Sequence, residues 1–306
     1  MPTAQEIKEQ VASETERRAR LAVPAFAGGV LYLLGAIIVS STLGGAPTVG
    51  LLQAVGPALS GTVNPVMSPR AAEVKFFSHH TLQLIAGSTL QGIAIAAITL
   101  VLLLLVDATR FRRPNSWAAG RPLVLIGGFG LAFLSVGHQV VSSIETHSFA
   151  IGHDFSGHAV DQALTKGAPN VIVEYLDLLA GLALAAGMIG AMVNAYRVGL
   201  LPRWMSILGG FTAVLIFAPI SATLQLVPSF WMVMMGLMYV DRWPNGQPPA
   251  WEAGEARPWP SPSAVRAANR GEGQVALSTG ASDVTPAPTR PAGSSRKRRR
   301  KRGSGR

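Results

Sequence analysis

Six histidines and the acids nearest them fall on one side of this chain's hydropathy map, and they are the residues best equipped for chemistry. His79 and His80 precede an apolar run, His138 sits inside another, and His147, His153 and His158 follow it. Glu145, Asp154, Asp161, Glu174 and Asp177 occupy the same stretches. Imidazole together with carboxylate is a ligand set suited to a divalent metal such as zinc, iron or manganese. Spacing narrows the field. His80, Gln83, Gly87 and Gln91 recur at steps of three or four, as do Ser135, His138, Ser142 and Glu145. Glu174, Asp177 and Gly181 repeat the pattern along a face that runs on through Gly187 and Asn194. Three polar stripes, each strongest at one end, predict a wet cavity between helices that opens to that side. The candidate metal set is His138, Glu145, Glu174, Asp177 and His80, and the candidate ligand cavity adds Gln83, Gln91, Gln139 and Ser142.

A plainer assignment competes with the metal. Polar groups within apolar helices also hydrogen-bond across neighbours and pin the packing, and that role ranks first here. Metal or proton binding ranks second and ligand recognition third. His138 is the sharpest residue, because an ionisable group near the centre of a span costs roughly 2.5–3.5 kcal/mol to insert. The loop histidines carry less: the chain has no H-x-x-x-H or H-E-x-x-H pair. It also lacks a G-x-S-x-G nucleophile elbow. Gly127-Gly128-Phe129-Gly130 lies within an apolar run, so it predicts close helix approach rather than a phosphate loop. Gly181, Gly187, Gly190 and Gly209-Gly210 carry the same expectation. The absence of cysteine excludes disulfides and thiolate metal sites.

The elements that must position these residues are apolar runs of spanning length. Five qualify against a requirement of about 20 residues: Leu21–Ser41, Leu82–Val106, Pro122–Ile144, Val171–Tyr196 and a stretch from Met205 to Val240. The last is too long for one helix, and Pro219, Ser221 and Thr223 supply turn chemistry near its middle. Splitting it predicts six transmembrane helices, an all-α polytopic bundle over residues 21–241. All but three of the 26 Lys and Arg lie on one side of this map, the exceptions being Arg70, Lys75 and Lys166. Positive loops stay cytoplasmic, which places both termini inside and the histidines outside. A chain rich in Ala, Gly, Arg and Pro but poor in Lys suggests a bacterial inner membrane.

The ends of the chain differ from its middle. Residues 1–20 read as a solvated lead-in helix, with a Thr3/Glu6 capping box and i,i+4 pairs Glu14–Arg18 and Glu16–Arg20. Leu21–Ser41 reads as a retained first span rather than a signal peptide, since its flank is long and acidic. In the outer linker 42–81, Ser68-Pro69 reads as an N-cap with Pro at N1. From residue 242 the chain becomes Pro-rich, with nine of its 21 prolines in 243–306, and it ends in a polybasic run at 296–302. That composition predicts a disordered cytoplasmic tail. Its basic residues suit anionic phospholipid headgroups, at about 1 kcal/mol each, and lipid is preferred over nucleic acid or an acidic protein.

One turn carries a family resemblance. Leu200-Leu201-Pro202-Arg203-Trp204-Met205-Ser206-Ile207-Leu208-Gly209-Gly210, with the long outer loop after the first span, resembles the bacterial membrane proteins of domain-of-unknown-function family 4386. The resemblance covers roughly residues 20–240 and implies a compact bundle with a Leu-Pro-Arg turn before a late helix. It implies no activity. In the turn itself Arg197 and Arg203 anchor helix ends at the headgroups, Trp204 sits at interface depth, and Pro202 occupies the first turn of a helix. Three function classes follow from these readings. The first is a non-enzymatic module that binds a ligand or partner through an outward polar cavity. The second is a metal-dependent membrane enzyme or metal handler that uses the outer His/Asp/Glu set. The third is a small secondary transporter, for which a homo-oligomer would supply the symmetry that six spans lack.

Overall fold

Helix α1 runs unbroken from Ala4 to Gly44, so the lead-in and the first apolar run are one element. Thr3 caps it: its hydroxyl accepts the Glu6 N–H at 3.3 Å while the Glu6 carboxylate accepts the Thr3 N–H at 2.6 Å. The computed structural model describes residues 3–48, 50, 68, 70–114, 116–152, 154–218, 222–243 and 246–259. Within them the chain is helical: α2 (Ala71–His79), α3 (Thr81–Arg112), α4 (Gly120–Ile151), α5 (Gly157–Asp161), a π-helical turn (Gln162–Lys166) and α6 (Ala168–Val198) follow in order. Then come α7 (Arg203–Phe217), a 3₁₀ turn (Ala222–Gln225), α8 (Leu226–Tyr239) and the short α9 (Pro249–Ala253). The Ser68-Pro69 cap expected for α2 is replaced by Arg70, and Pro69 lies outside the described residues.

Helices α1, α3, α4 and the run from α5 through α6 are each long and apolar enough to cross a membrane. Their outward faces carry side chains that water would not tolerate in such density. Val23, Ile37, Ile93, Ile126, Phe133 and Leu179 are all more than half exposed. The stretch from Met205 forms two helices, one ending at Phe217 and the next beginning at Leu226. Its halves, α7 and α8, have 15 and 14 residues, short of the roughly 20 a hydrocarbon core requires. Pro219 and Ser221 lie outside the described residues.

Three close crossings hold the bundle together. A Cβ added at Gly35 of α1 would come within 2.6 Å of the Gly87 carbonyl on α3. One added at Gly127 of α4 would meet the Leu184 amide on α6 at 2.3 Å, and one at Gly128 the Thr99 hydroxyl of α3 at 2.0 Å. Only glycine lets the backbones approach this far, as expected for the 127–130 cluster. Gly210 is different, with nothing within 4 Å of an added Cβ. Helices α7 and α8 double back on each other. Trp204 at the start of α7 stacks on Trp243 just beyond α8, ring centroids 5.4 Å apart, so both outer ends of the hairpin lie at the arginine-bearing end. Pro202 precedes α7 as its N-cap instead of entering its first turn.

Two expectations about the chain ends are corrected. Glu14 and Arg18 are buried instead of solvated, at 2% and 6% exposure. Glu14 does not pair with Arg18; it takes a two-pronged bond from Arg112 of α3, Nη1 to Oε1 at 2.8 Å and Nη2 to Oε2 at 2.7 Å. The Glu16–Arg20 pair is present. Residues 246–259, expected to belong to the tail, instead pack with the bundle as one unit. Trp243, Ala250 and Trp251 are buried in the main core. Pro248 and Pro249 open α9, where a missing N–H costs nothing. That turn delivers Trp251 between two arginines, 4.9 Å from Arg18 and 5.5 Å from Arg112, with its indole N–H donating to the Leu200 carbonyl at 3.0 Å. Residues 260–306, including the polybasic run, lie outside the described residues.

Candidate functional site

The polar stripe of α4 divides between two neighbours. Gln139, Ser142, Ser143 and Thr146 turn toward α1, α2 and α3, where they line a cavity of about 200 Å³ with Val39, Leu43, Phe77, Leu84 and Leu164. Leu164 belongs to the π-helical turn and Phe77 to α2, so these two short elements close over the cavity at the histidine-bearing end. Helix α5, which leads into that turn, is set by its own cap. The Ser156 hydroxyl accepts the Ala159 N–H at 3.3 Å, and Asp154 accepts the Ser156 N–H at 2.9 Å. That last bond holds the Asp154 carboxyl below its ordinary range. The salt bridge from Lys166 at 2.6 Å does the same for Asp161.

The cavity is amphipathic. One wall offers the Gln139 amide and three hydroxyls; the other is branched aliphatic and aromatic. Thr146 spends its proton on the Ser142 carbonyl at 2.9 Å. The Ser143 hydroxyl is buried behind that wall (6% exposed) and has no hydrogen-bond partner among the described residues. A buried hydroxyl without a partner costs roughly 1–3 kcal/mol; the polar groups that reach the cavity itself are the half-buried Gln139 amide and Ser142 hydroxyl. The volume exceeds many times the roughly 10–15 Å³ that a single water needs.

His138, one residue before Gln139, turns the other way. It faces α6, close enough to Asp177 for their charges to interact. One Asp177 carboxylate oxygen, Oδ1, is buried without a hydrogen-bond partner among the described residues. Glu145 lies two turns further out, near Gly167 and the buried Asn170 at the start of α6. Glu174 is exposed. His80 belongs elsewhere: its ring stacks on Phe76 at 4.0 Å, its Nδ1 lies 2.8 Å from the Phe76 carbonyl, and with Gln83 it faces Ile38, Ser41 and Thr42 of α1. Gln91 donates to Gln225 before α8 at 3.3 Å.

The expected single cavity therefore resolves into separate places. Helices α3, α4 and α6 are mutual neighbours as expected, but the α3 stripe faces α1 and α8 because Gly35 and Gly87 bring α1 against that side. Of the candidate residues, Gln139 and Ser142 share the cavity, and His138 and Asp177 share the α4–α6 interface. His80, Gln83 and Gln91 join neither pair. Among the described residues, no three His, Asp or Glu gather into a set that could hold a metal ion; His153 lies outside them. Sequence reasoning missed Ser143, Thr146 and Leu164 in the cavity. Ser143 and Thr146 were legible as an i,i+3 pair beside Ser142, whereas Leu164 comes from a turn with no periodic signal. No family model, curated protein or solved structure matches this chain.

Proposed function

We infer that this protein is a non-enzymatic, small-ligand-binding module of a bacterial inner membrane, crossing it six times with both termini cytoplasmic. The amphipathic cavity of about 200 Å³, with the Gln139 amide and Ser142 hydroxyl on one wall and aliphatic and aromatic side chains on the other, carries the ligand reading. Such a cavity suits a small uncharged molecule with one hydrogen-bonding group and an apolar remainder. The α7–α8 hairpin, both ends of which lie at the arginine-bearing end, supports the six-crossing topology, as does the one-sided distribution of charge. The resemblance of the Leu200–Gly210 turn to family 4386 belongs to the same proposal. Because the chain has no cysteine, single cysteines give a clean test. Cysteine at Gln139 or Ser142 should react with a small membrane-impermeant thiosulfonate applied from outside, and cysteine at the core position Ile98 should not. Reaction at Ser142 only from the cytoplasmic face would overturn the reading.

A second reading, a proton or cation site at the α4–α6 interface, draws on the Asp177 oxygen, opposite His138, that has no hydrogen-bond partner among the described residues. Elemental analysis of the purified protein separates the two. A stoichiometric metal that disappears in both H138A and D177N would favour the second reading, whether the protein is an enzyme, a metal handler or a transporter.

A further inference from the structure

A groove at the arginine-bearing end joins α1, α3 and α4. It has a volume of about 290 Å³ and is lined by Arg17, Arg20, Leu21, Leu100, Leu103, Leu104, Asp107 and Arg121. Asp107 of α3 stands between two guanidinium groups. Arg121 Nε donates to Asp107 Oδ1 at 3.1 Å, and Arg17 Nη1 lies 3.7 Å from Oδ2. One carboxylate thus serves two arginines, whose side chains are each about half exposed. Arg121 commits only Nε to it, which leaves both Nη groups uncommitted among the described contacts. Arg20 is balanced by Glu16. The mouth of the groove therefore carries an excess of positive charge in the planar fork geometry that pairs with phosphate. Its floor is aliphatic and continues along α3 toward the middle of the bundle, where Leu100 stays 39% exposed.

We propose that this groove binds one anionic phospholipid of the cytoplasmic leaflet, its phosphate held by Arg17 and Arg121 and its first acyl carbons lying on Leu21, Leu100 and Leu103. This rests on the topology inferred above. Two features select lipid over a free anion. Phosphate alone would gain nothing from the leucine floor, and a basic pocket between helices at this level meets headgroups by position. Asp107 fixes the two arginines in register when no lipid is present, so the site is organised before it is filled. The site is also distinct from the polybasic run at 296–302, which is far from it in sequence and has no apolar floor in its composition.

The test uses the full chain in mild detergent, titrated with phosphatidylglycerol, phosphatidylcholine or inorganic phosphate while the melting midpoint is followed. Phosphatidylglycerol should raise the midpoint, and the other two should not. The variant Arg17→Gln/Arg121→Gln should melt like the parent without lipid but need about thirtyfold more phosphatidylglycerol for the same rise, from roughly 1 kcal/mol per arginine. Leu103→Trp, which fills the groove with both arginines in place, should also blunt the response. Replacing the basic residues of 296–302 with Gln should leave it unchanged. An equal rise with inorganic phosphate would make this a free-anion site and overturn the lipid proposal. An undiminished response in both groove variants, or its loss on neutralising 296–302 alone, would overturn the groove. A fusion readout placing the arginine-bearing end outside would instead remove the topology on which the leaflet assignment rests.

Discussion

Neutralising Glu14 probes how the arginine-bearing end is held, and its cost can be worked from the contacts. Glu14 and Arg112 are 98 residues apart, and their side chains are 3% and 0% exposed. In Glu14→Gln, Arg112 keeps only neutral partners, the Ala108 carbonyl at 2.9 Å and the Ala250 carbonyl at 2.9 Å. Its charge is then stranded where water is excluded. Breaking a buried pair from one side costs about 3–5 kcal/mol, and the two carbonyls put this variant near the lower end. Arg112→Met strands Glu14 with only the Gln10 amide at 2.9 Å, which points to the upper end. Glu14→Leu/Arg112→Met removes both charges and leaves chiefly the Ala250 carbonyl unpaired, at about 1–3 kcal/mol. The double variant should therefore melt above Arg112→Met, a coupling that additive contributions cannot give. At roughly 2–4 °C per kcal/mol, the single variants should lose on the order of 10 °C in detergent, read by far-ultraviolet circular dichroism. Single variants within two degrees of the parent, or a double variant as low as the sum of the singles, would show that the pair is not buried as described.

Three further outcomes follow from the same structure. Ending the chain after Trp259 should leave melting unchanged, whereas ending it after Arg242 should lower the midpoint clearly. The second truncation removes Trp251, whose loss alone is worth about 3–5 kcal/mol. Gly128→Val should destabilise by about 1–3 kcal/mol or more through the clash with Thr99, while Gly210→Ala, with open space around it, should be neutral in the same melt. Reporter fusions after residues 115, 155, 200 and 250 should read inside, outside, inside and inside; an outside signal at 250 would remove the sixth crossing.

Local pattern was enough for most features that depend on nearest neighbours along the chain, the Glu14–Arg18 pair and the Ser68-Pro69 cap being the exceptions. The apolar runs become α1, α3, α4 and α6, because a long hydrophobic segment has one economical way to satisfy its backbone, the helix. The Thr3/Glu6 box caps α1 because its two bonds span only three residues. The break within the stretch from Met205 shows in its length alone, and Gly127 and Gly128 mark a close crossing because no larger residue would fit. Period also shows which residues share a face. It does not show which helix that face will meet, and here the candidate site parted from expectation. His80 and Gln83 share the predicted stripe with Gly87, yet α1 claims that face. His138 and Ser142 are one turn apart on α4 and still address different partners. The buried cluster at the other end was hidden for the same reason. Arg112, Glu14 and Trp251 are unremarkable in their own segments, a helix end, a charged lead-in and a Pro-rich stretch. Only packing brings them together, and only desolvation then makes a guanidinium, a carboxylate and an indole worth more to each other than to water.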